Sequence, residues 1–302
     1  MTLAVVINAA SGTAQRHGPD QLKDLVGRIA RETRGESVDV RVVPPKQLLP
    51  ALRQAAQDHD EVWVGGGDGT LRSAAELMVK RRGTLGVLPL GTMNLLARDL
   101  NIPLEIENAV RALGNAEVAP IDVGRINDGI FLNKSALGLY PEMIVDRERR
   151  RRLFGITKWP AMMKAAWRAV RRHRLMEIAI EHHGERREIV SPALVVAVGA
   201  YEFHTGRLFT RSDLQSGELT LYVSHEKTAL GSAGQLAKLF LGTLDTDPEL
   251  ETIRAERIVI DFRRPKPVAN DGEVEMLSGP IRYAVGRRAL KVRMPAETEA
   301  KT

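Results

Sequence analysis

The fold is decided by the stretch Val62-Trp63-Val64-Gly65-Gly66-Gly67-Asp68-Gly69-Thr70, in which an apolar strand leads directly into a glycine-rich turn. Glycine lets backbone N–H groups approach an anion because no Cβ stands in the way. Thr70 stands where it would cap a helix predicted from Leu71 onward, so that the positive helix end faces the same anion. Asp68 would repel a bare phosphate, and it therefore indicates a phosphate that carries Mg²⁺. Taken alone, the motif also fits a glycine-rich turn without a ligand.

The layout of strand, small polar turn and helix occurs twice more. Pro89-Leu90-Gly91-Thr92-Met93-Asn94 follows one strand, and Asn8-Ala9-Ala10-Ser11-Gly12 follows another near the N-terminus. Because the carboxyl ends of parallel strands share one edge of a sheet, we expect the three loops to converge there. The predicted nucleotide contacts are Asn8, Ser11, Gly12, Gly66, Gly67, Asp68, Gly69, Thr70, Gly91, Thr92 and Asn94.

The order of predicted elements divides the 302 residues into two domains. Strands and helices alternate up to about residue 120, which predicts a doubly wound α/β domain over residues 1–120. Residues 121–302 are predicted to form a mainly antiparallel β domain with helical segments at Pro141–Arg174 and Ala229–Leu244. Its β-like runs are Gly129–Ala136, Met176–Glu181, Ala193–Val198, Leu219–Val223, Arg257–Phe262 and Leu290–Met294.

Composition excludes several classes of site. The chain has no cysteine, so disulfide frameworks, thiolate metal sites and cysteine nucleophiles are excluded. No Gly-x-Ser-x-Gly elbow indicates a serine hydrolase, and the adjacent His182 and His183 would point to opposite faces of a strand. No signal-peptide pattern opens the chain and no apolar run reaches about 18 residues, so we expect a cytoplasmic protein.

The positive charge is concentrated in one segment. The formal net charge is +6, and the cluster mixes basic residues with the apolar side chains of Phe154, Trp159 and Trp167. This pattern predicts that the segment binds peripherally to an anionic membrane surface, at the inner face of the membrane. An amphipathic helix packed on its own domain is the alternative, and nucleic acid is disfavoured because no nucleic-acid-binding signature accompanies the charge. The basic residues are Arg147, Arg149, Arg150, Arg151, Arg152, Lys158, Lys164, Arg168, Arg171, Arg172 and Arg174.

The ordered set of motifs resembles the diacylglycerol kinase catalytic domain and its bacterial lipid kinase and sphingosine kinase relatives. Beyond the three loops, the resemblance rests on Ile121-Asp122-Val123-Gly124 and Asp271-Gly272-Glu273. The glycine-aspartate motif alone is shared with NAD kinases and phosphofructokinases. The sequence departs from the family pattern at Ala9, where proline is usual, and at Arg72-Ser73, where many relatives carry Asn-Glu.

The resemblance implies a fold and a chemistry. It implies a C-terminal β-sandwich whose last strands return to the first domain, and phosphoryl transfer from ATP with Mg²⁺ to a lipid alcohol. Asp271 would be the general base, supported by Glu273, and Asp122 would join the charge network. A structural Mg²⁺ site would use Asp213 and Glu218, although Ser216 replaces an expected carboxylate. From spacing alone, Asn270-Asp271-Gly272 predicts only a hairpin turn.

Three functions follow from the sequence. The first is an ATP-dependent lipid kinase acting on diacylglycerol or a related lipid alcohol. The second is a small-molecule kinase of the NAD kinase type, which would share the loop from Gly66 to Thr70. The third is a non-catalytic protein that binds a membrane surface or a nucleotide.

Overall fold

The computed structural model describes residues 2–141, 175–204, 207–211, 213–241 and 247–296. The chain divides into two compact units: Met1–Val123 with Arg287–Thr302, and Gly124–Gly286. The basic segment predicted to contact a membrane lies outside the described residues. Within the described ranges, no helix combines the length and the apolar character needed to cross a bilayer.

The first unit is a parallel sheet covered by helices. Its strands β1 to β4 lie in the order β2-β1-β3-β4, and each neighbouring pair is parallel. The strands are β1 (Thr2–Asn8), β2 (Ser37–Val43), β3 (Glu61–Gly66) and β4 (Thr84–Pro89). The helices are α1 (Gly12–His17), α2 (Pro19–Arg34), α3 (Pro45–Asp58), α4 (Asp68–Arg81), α5 (Leu95–Asp99) and α6 (Ile106–Gly114).

The strand order confirms the predicted doubly wound α/β fold. The chain moves from β1 to β2 in one direction and from β2 to β3 in the other. Because such crossovers are right-handed, α2 lies on one face of the sheet and α3 and α4 on the other. In agreement, α2 contacts α6 whereas α3 contacts α4.

The sequence of each element matches its place. Residues 3–7 of β1 are all buried, as expected for a parallel strand covered on both faces. Helix α2 buries Leu22, Val26 and Ile29 at helical spacing. It begins with Pro19 and ends before Gly35, which adopts the left-handed conformation typical of helix C-termini.

The second unit is an antiparallel β-sandwich, as the resemblance implied. One sheet has the order β14-β13-β10-β7-β16-β17, and opposite it lie β9, β8, β15, the first part of β18, and the β5–β6 pair. β5 and β18 each contribute to both units. The elements from β5 onward are β5 (Glu117–Ile126), β6 (Gly129–Phe131), β7 (Lys134–Gly138), β8 (Met176–His182), β9 (Glu185–Ser191), β10 (Ala193–Val198), β11 (Glu202–His204), β12 (Arg207–Thr210), β13 (Leu219–Ser224), α7 (Ala229–Leu241), β14 (Leu250–Ala255), β15 (Arg257–Asp261), β16 (Lys266–Asn270), β17 (Glu273–Leu277) and β18 (Ile281–Met294).

Alternating side chains of both sheets fill the sandwich core. Leu137, Val196 and Leu221 come from one sheet, and Ile180 and Ile260 from the other; all five are almost fully buried. Every second side chain along these strands faces inward, as expected for strands that have one face on a core.

One predicted strand is divided in two. The run Gly129–Ala136 was predicted as a single strand, but β6 ends at Phe131 and β7 begins at Lys134. The interruption lies where the backbone N–H groups of Leu132 and Asn133 bind the carboxylate of Asp271. A distant side chain thus replaces a neighbouring strand as their hydrogen-bond partner.

The last strand contributes to both units. Ile281–Ala284 pair with β15 in the second unit, whereas Lys291 and Val292 pair in parallel with β4 in the first. In the first unit, Arg293 donates to both carboxylate oxygens of Glu61 at 2.9 and 2.7 Å. Trp63 Nε1 also donates to Glu61 at 2.7 Å. These contacts tie the end of β18 to β3, the strand that leads into the glycine-rich loop.

Replacing Arg293 with Met should destabilise the protein by about 2 to 3 kcal/mol at pH 7, because it leaves a half-buried carboxylate without its main partner. Burial alone would raise the pKa of Glu61, but hydrogen bonds from Arg293 and Trp63 outweigh it and the pKa lies below its usual value. This stabilisation is present at neutral pH and is lost as the pH falls through the lowered pKa. Urea unfolding at several pH values should therefore show the difference from the parent shrinking in acid. The exposed Arg125→Met is the control, and an equal loss in both variants would contradict the prediction.

Candidate functional site

The loops after β1 and β3 meet where the strand order reverses, which is the position at which open α/β sheets bind ligands. Asn8 Nδ2, at the end of β1, donates to Thr70 Oγ1 at 3.2 Å. Asn8 Oδ1 accepts from the backbone N–H of Ala10 at 3.0 Å, which fixes its own loop. One asparagine side chain therefore joins the first loop to the glycine-rich loop.

The loop after β4 is attached to the same edge. The carboxylate of Asp68 accepts the backbone N–H of Leu95, the first residue of α5, at 2.9 Å. The backbone N–H of Thr13 donates to Leu90 O at 3.3 Å. Direct hydrogen bonds thus link the three loops that the sequence predicted to converge.

The predicted cap at Thr70 is wrong. Helix α4 begins at Asp68, its N-cap is Gly67, and no side chain caps it. Thr70 therefore lies within the first helical turn, where its hydroxyl is the partner of Asn8. The helix starts earlier than predicted because Asp68 and Gly69 continue the helical backbone.

Asn94 organises the loop after β4. It adopts a left-handed backbone conformation with φ of 51°. Its Oδ1 accepts from the backbone N–H of Gly91 at 2.8 Å, and its Nδ2 donates to Pro89 O at 3.3 Å. A Cβ on Gly91 would approach Gly67 Cα to 2.6 Å, so glycine is required there by the contact between the two loops. Thr92, by contrast, is exposed.

Two features of this edge fit a phosphate. A Cβ on Gly67 would meet only Gly91 Cα, at an ordinary 3.7 Å, and Gly67 has an extended backbone that any residue adopts. Gly12 likewise has open space around its missing Cβ. Ser11 Oγ is buried and has no hydrogen-bond partner among the residues that the structure describes. A phosphate oxygen would satisfy that hydroxyl, whose isolation costs about 1 to 3 kcal/mol.

Replacing Gly67 with Ala should leave stability unchanged and weaken binding of Mg²⁺–ATP by about tenfold or more, because the new methyl group occupies the anion's approach to the backbone. Gly67→Val should have a larger effect of the same kind. Calorimetric titration and thermal unfolding measure the two quantities. Gly66→Ala is the contrasting variant, since its Cβ would lie 2.6 Å from Thr70 and should destabilise the fold. Normal ATP binding by Gly67→Val would refute the assignment.

Asp271 lies in the second unit, in the turn between β16 and β17. Asn270 pairs with Glu273, so Asp271 and Gly272 form a two-residue hairpin turn, and both have positive φ, 48° and 89°. The hairpin predicted from spacing is therefore present. The side chain is nevertheless buried, and its two oxygens accept the backbone N–H groups of Leu132, Asn133 and Lys134 at 2.7, 2.9 and 3.1 Å.

The other predicted catalytic carboxylates occupy different settings. Glu273 is exposed at the start of β17. Asp122 lies within β5 and is buried, and its Oδ1 accepts the backbone N–H of Arg288 at 2.6 Å. Arg288 has a left-handed backbone, with φ of 47°. Asp122 therefore holds the left-handed backbone at Arg288 of β18, and its role in a catalytic charge network stays a prediction.

The predicted Mg²⁺ ligands Asp213 and Glu218 form a local turn. Asp213 Oδ1 accepts the backbone N–H of Gln215 at 2.7 Å, and the backbone N–H of Glu218 donates to Ser216 Oγ at 3.4 Å. In the part of the chain that the structure describes, no three acidic or histidine side chains come together as a metal site. The sequence pattern alone supports the structural Mg²⁺ site, which stays a prediction.

Sequence reasoning missed several participants. The N–H groups of residues 132–134 and of Leu95 carry no side-chain signal, because any residue supplies them. Two buried basic residues of the second unit, Lys134 and Arg211, were also missed. For Lys134 a signal existed, since it interrupts the otherwise apolar or small run Gly129–Leu139 around Asn133.

Comparison with known proteins identifies the family. The model of the diacylglycerol kinase catalytic domain matches residues 2–126, and the model of the YegS C-terminal NAD kinase beta sandwich-like domain matches residues 144–294. The chain belongs to the diacylglycerol kinase catalytic-domain family. This confirms the resemblance inferred from the motifs and makes the chain a member of a phosphotransferase family.

Individual relatives agree with this assignment. A Staphylococcus saprophyticus protein named "Diacylglycerol kinase" is 26% identical over 74% of this chain and 73% of its own length. A Pectobacterium atrosepticum protein named "Probable lipid kinase YegS-like" is 29% identical over 60% of this chain and 61% of its own length. An uncharacterised Synechocystis protein is 25% identical over 83% of this chain, which spans only 60% of that relative.

Solved structures show the same fold. A crystal structure of a diacylglycerol kinase from Bacillus anthracis superposes with a TM-score of 0.75 at 19% identity. It covers 97% of this chain and 96% of its own. The α/β unit and the β-sandwich therefore follow the architecture of that protein.

Proposed function

We propose that this chain is an ATP-dependent lipid kinase that phosphorylates the hydroxyl of diacylglycerol or a related lipid alcohol. The observation that carries the proposal is the edge formed by the loops after β1, β3 and β4. Its approach at Gly67 is open, and the buried Ser11 hydroxyl there has no partner within the described part of the chain. Membership of the diacylglycerol kinase catalytic-domain family supports the same reaction.

In this proposal the first unit binds and orients the nucleotide phosphates. Backbone N–H groups around Gly67 and the start of α4 would contact the phosphate oxygens, and Ser11 would donate to one of them. Bound Mg²⁺ would neutralise phosphate charge, as it does in other kinases. Because Mg²⁺ commonly uses one or two carboxylates together with phosphates, Asp68 suffices as a protein ligand. Its hydrogen bond to Leu95 N would hold it in position.

The second unit would supply the base. Asp271 would accept the proton of the acceptor hydroxyl while that oxygen attacks the γ-phosphorus. The three backbone N–H groups of residues 132–134 would hold its carboxylate in position. Glu273, two residues further along the hairpin, would add negative charge on the exposed side of the turn.

Incubation of the purified protein with labelled ATP and Mg²⁺ tests the proposal, with lipid micelles in one arm and NAD in the other. A labelled product in the organic phase of the lipid arm is expected. An aqueous product with NAD would favour the NAD kinase type, which shares the glycine-aspartate loop. Absence of product in both arms, with ATP bound, would favour the non-catalytic alternative.

An anionic membrane surface is the proposed partner, and the basic segment around Arg147–Arg174 is the proposed contact. Replacing Arg149, Arg150, Arg151 and Arg152 with Gln should reduce co-flotation with anionic vesicles and raise the apparent KM for lipid. Binding of ATP should not change, because its proposed site lies in the first unit. Unchanged co-flotation would contradict the prediction and favour a helix packed on its own domain.

A further inference from the structure

Strand β2 (Ser37–Val43) forms one end of the parallel sheet in the first unit. Within the described residues its neighbour is β1 alone, and the two strands pair along all seven residues of β2. Helix α2 covers one face, where Val40 is only 5% exposed. Helix α3 covers the other face, where Arg41 Nη1 donates to Gln54 Oε1 at 3.1 Å. The outer edge is therefore the part of β2 that is left for another strand.

This edge has few of the features that protect sheet edges from pairing. Unpaired backbone N–H and C=O groups at an edge attract a further strand, and proline, β-bulges and repelling charges are common protections. The segment Ser37–Val43 has no proline, its pairing with β1 has no bulge, and its two charges are of opposite sign. Four of its seven residues are valine, which favours strand pairing. The composition of β2 thus suits an edge that pairs.

The side chains of β2 are self-complementary about Val40. If a second copy of the strand lies antiparallel with Val40 opposite the partner's Val40, Asp39 lies opposite the partner's Arg41. By symmetry Arg41 lies opposite the partner's Asp39, and Val38 meets the partner's Val42 on the α2 face. Opposite charges in direct cross-strand pairs stabilise a sheet, and like charges destabilise it. The central register therefore forms two favourable charge pairs.

Charge also disfavours the neighbouring registers. A shift of two residues in one direction sets Arg41 opposite the partner's Arg41, and a shift in the other direction sets Asp39 opposite the partner's Asp39. In the central register, Asp39 instead lies between two guanidinium groups. Its own Arg41 donates from Nε to Asp39 Oδ2 at 2.7 Å, and the side chains of Asp39 and Arg41 remain 42% and 33% exposed. A partner's side chains can therefore reach both.

We propose that two copies of this chain associate through β2, antiparallel and centred on Val40, as a symmetric dimer. The interface is isologous because each copy presents the same edge, and it closes after two copies. The parallel sheet of one copy then continues into that of the other through the two β2 strands. Since these strands run in opposite directions, the loop edges of the two copies lie at opposite ends of the joined sheet. The dimer goes beyond the proposed kinase activity and does not depend on it.

Charge reversal tests the paired side chains. Asp39→Arg and Arg41→Asp each turn both central pairs into like-charge pairs, so each should weaken the dimer at least about tenfold in sedimentation equilibrium. The double variant D39R/R41D restores opposite charges and should recover the parental dimer affinity within a few-fold. Lys80→Glu, on the exposed part of α4, is the control that changes net charge as Arg41→Asp does. It should leave the dimer affinity unchanged.

Cysteine cross-linking tests the register, and the chain has no cysteine of its own to interfere. Val40→Cys sets two thiols in directly opposite positions, with the Cα separation of about 4.5 to 5.5 Å that suits a disulfide. Mild oxidation should therefore give a covalent dimer. Val38→Cys and Val42→Cys should each stay uncross-linked alone, because neither position lies opposite itself. A mixture of these two variants should cross-link.

Thermal unfolding of each variant distinguishes a lost dimer from a lost fold. If a single charge reversal unfolds the chain, the pattern of cross-links decides the question. A parent that sediments as a monomer at concentrations up to about 100 μM would overturn the proposal. Parental dimer affinity in both single reversals would overturn it as well. Equal cross-linking of Val40→Cys and Val42→Cys, each on its own, would exclude the register centred on Val40.

Discussion

Asp271→Asn is expected to lower kcat by about 10² or more, the scale of losing general-base catalysis. Affinity for Mg²⁺–ATP should change little, because Asp271 belongs to the second unit and the nucleotide loops to the first. Steady-state kinetics and ATP titration measure these quantities.

The structure predicts that Asp271→Asn also lowers the stability of the fold. Both Asp271 oxygens accept backbone N–H groups, so an amide would set an NH₂ group against at least one buried donor. The variant should therefore also lose about 1 to 3 kcal/mol of stability. The measured rates must be divided by the folded fraction of each protein, which thermal unfolding gives. Activity within a few-fold of the parent would return Asp271 to the role of a hairpin residue that holds the 132–134 segment.

Asp68→Ala is expected to reduce turnover by about 10² to 10³ and to weaken Mg²⁺-dependent nucleotide binding. Loss of the negative charge and loss of a hydrogen bond are separable causes of the lower turnover. Asp68 is both the acidic residue of the glycine-rich loop and the acceptor for Leu95 N–H. Asp68→Asn removes the charge and retains an oxygen that can accept this hydrogen bond. It should match the parent in stability and match Asp68→Ala in its loss of turnover.

Nucleotide titrations with and without Mg²⁺ check the role of the charge. The difference between the two titrations should disappear in both Asp68 variants and persist in Glu76→Ala, a control on the same helix. Near-normal turnover in Asp68→Asn would show that the bond to Leu95 matters and that the carboxylate charge does not. Near-normal turnover in Asp68→Ala would remove the phosphate-loop assignment altogether.

Several elements of the fold and site followed from local sequence. Buried strands such as residues 3–7, followed by small polar turns, predicted the parallel sheet, and parallel topology requires the turns to share an edge. The helices α2 and α6 and the hairpin at Asp271-Gly272 were predictable for the same reason, since side-chain period and turn chemistry act over a few residues. The motif order also identified the family, which the match to residues 2–126 confirmed.

Tertiary structure decided what each polar side chain binds. Asp271 takes its three N–H partners from residues 137 to 139 positions away, Asp68 bonds 27 positions along the chain, and Arg293 reaches Glu61 across 232. Thr70 was predicted as a helix cap and instead pairs with Asn8, 62 positions away. The sequence determined the loops because their chemistry is local. Only the folded chain determined these partners and the burial of Lys134 and Arg211, because strand register and packing bring distant groups together.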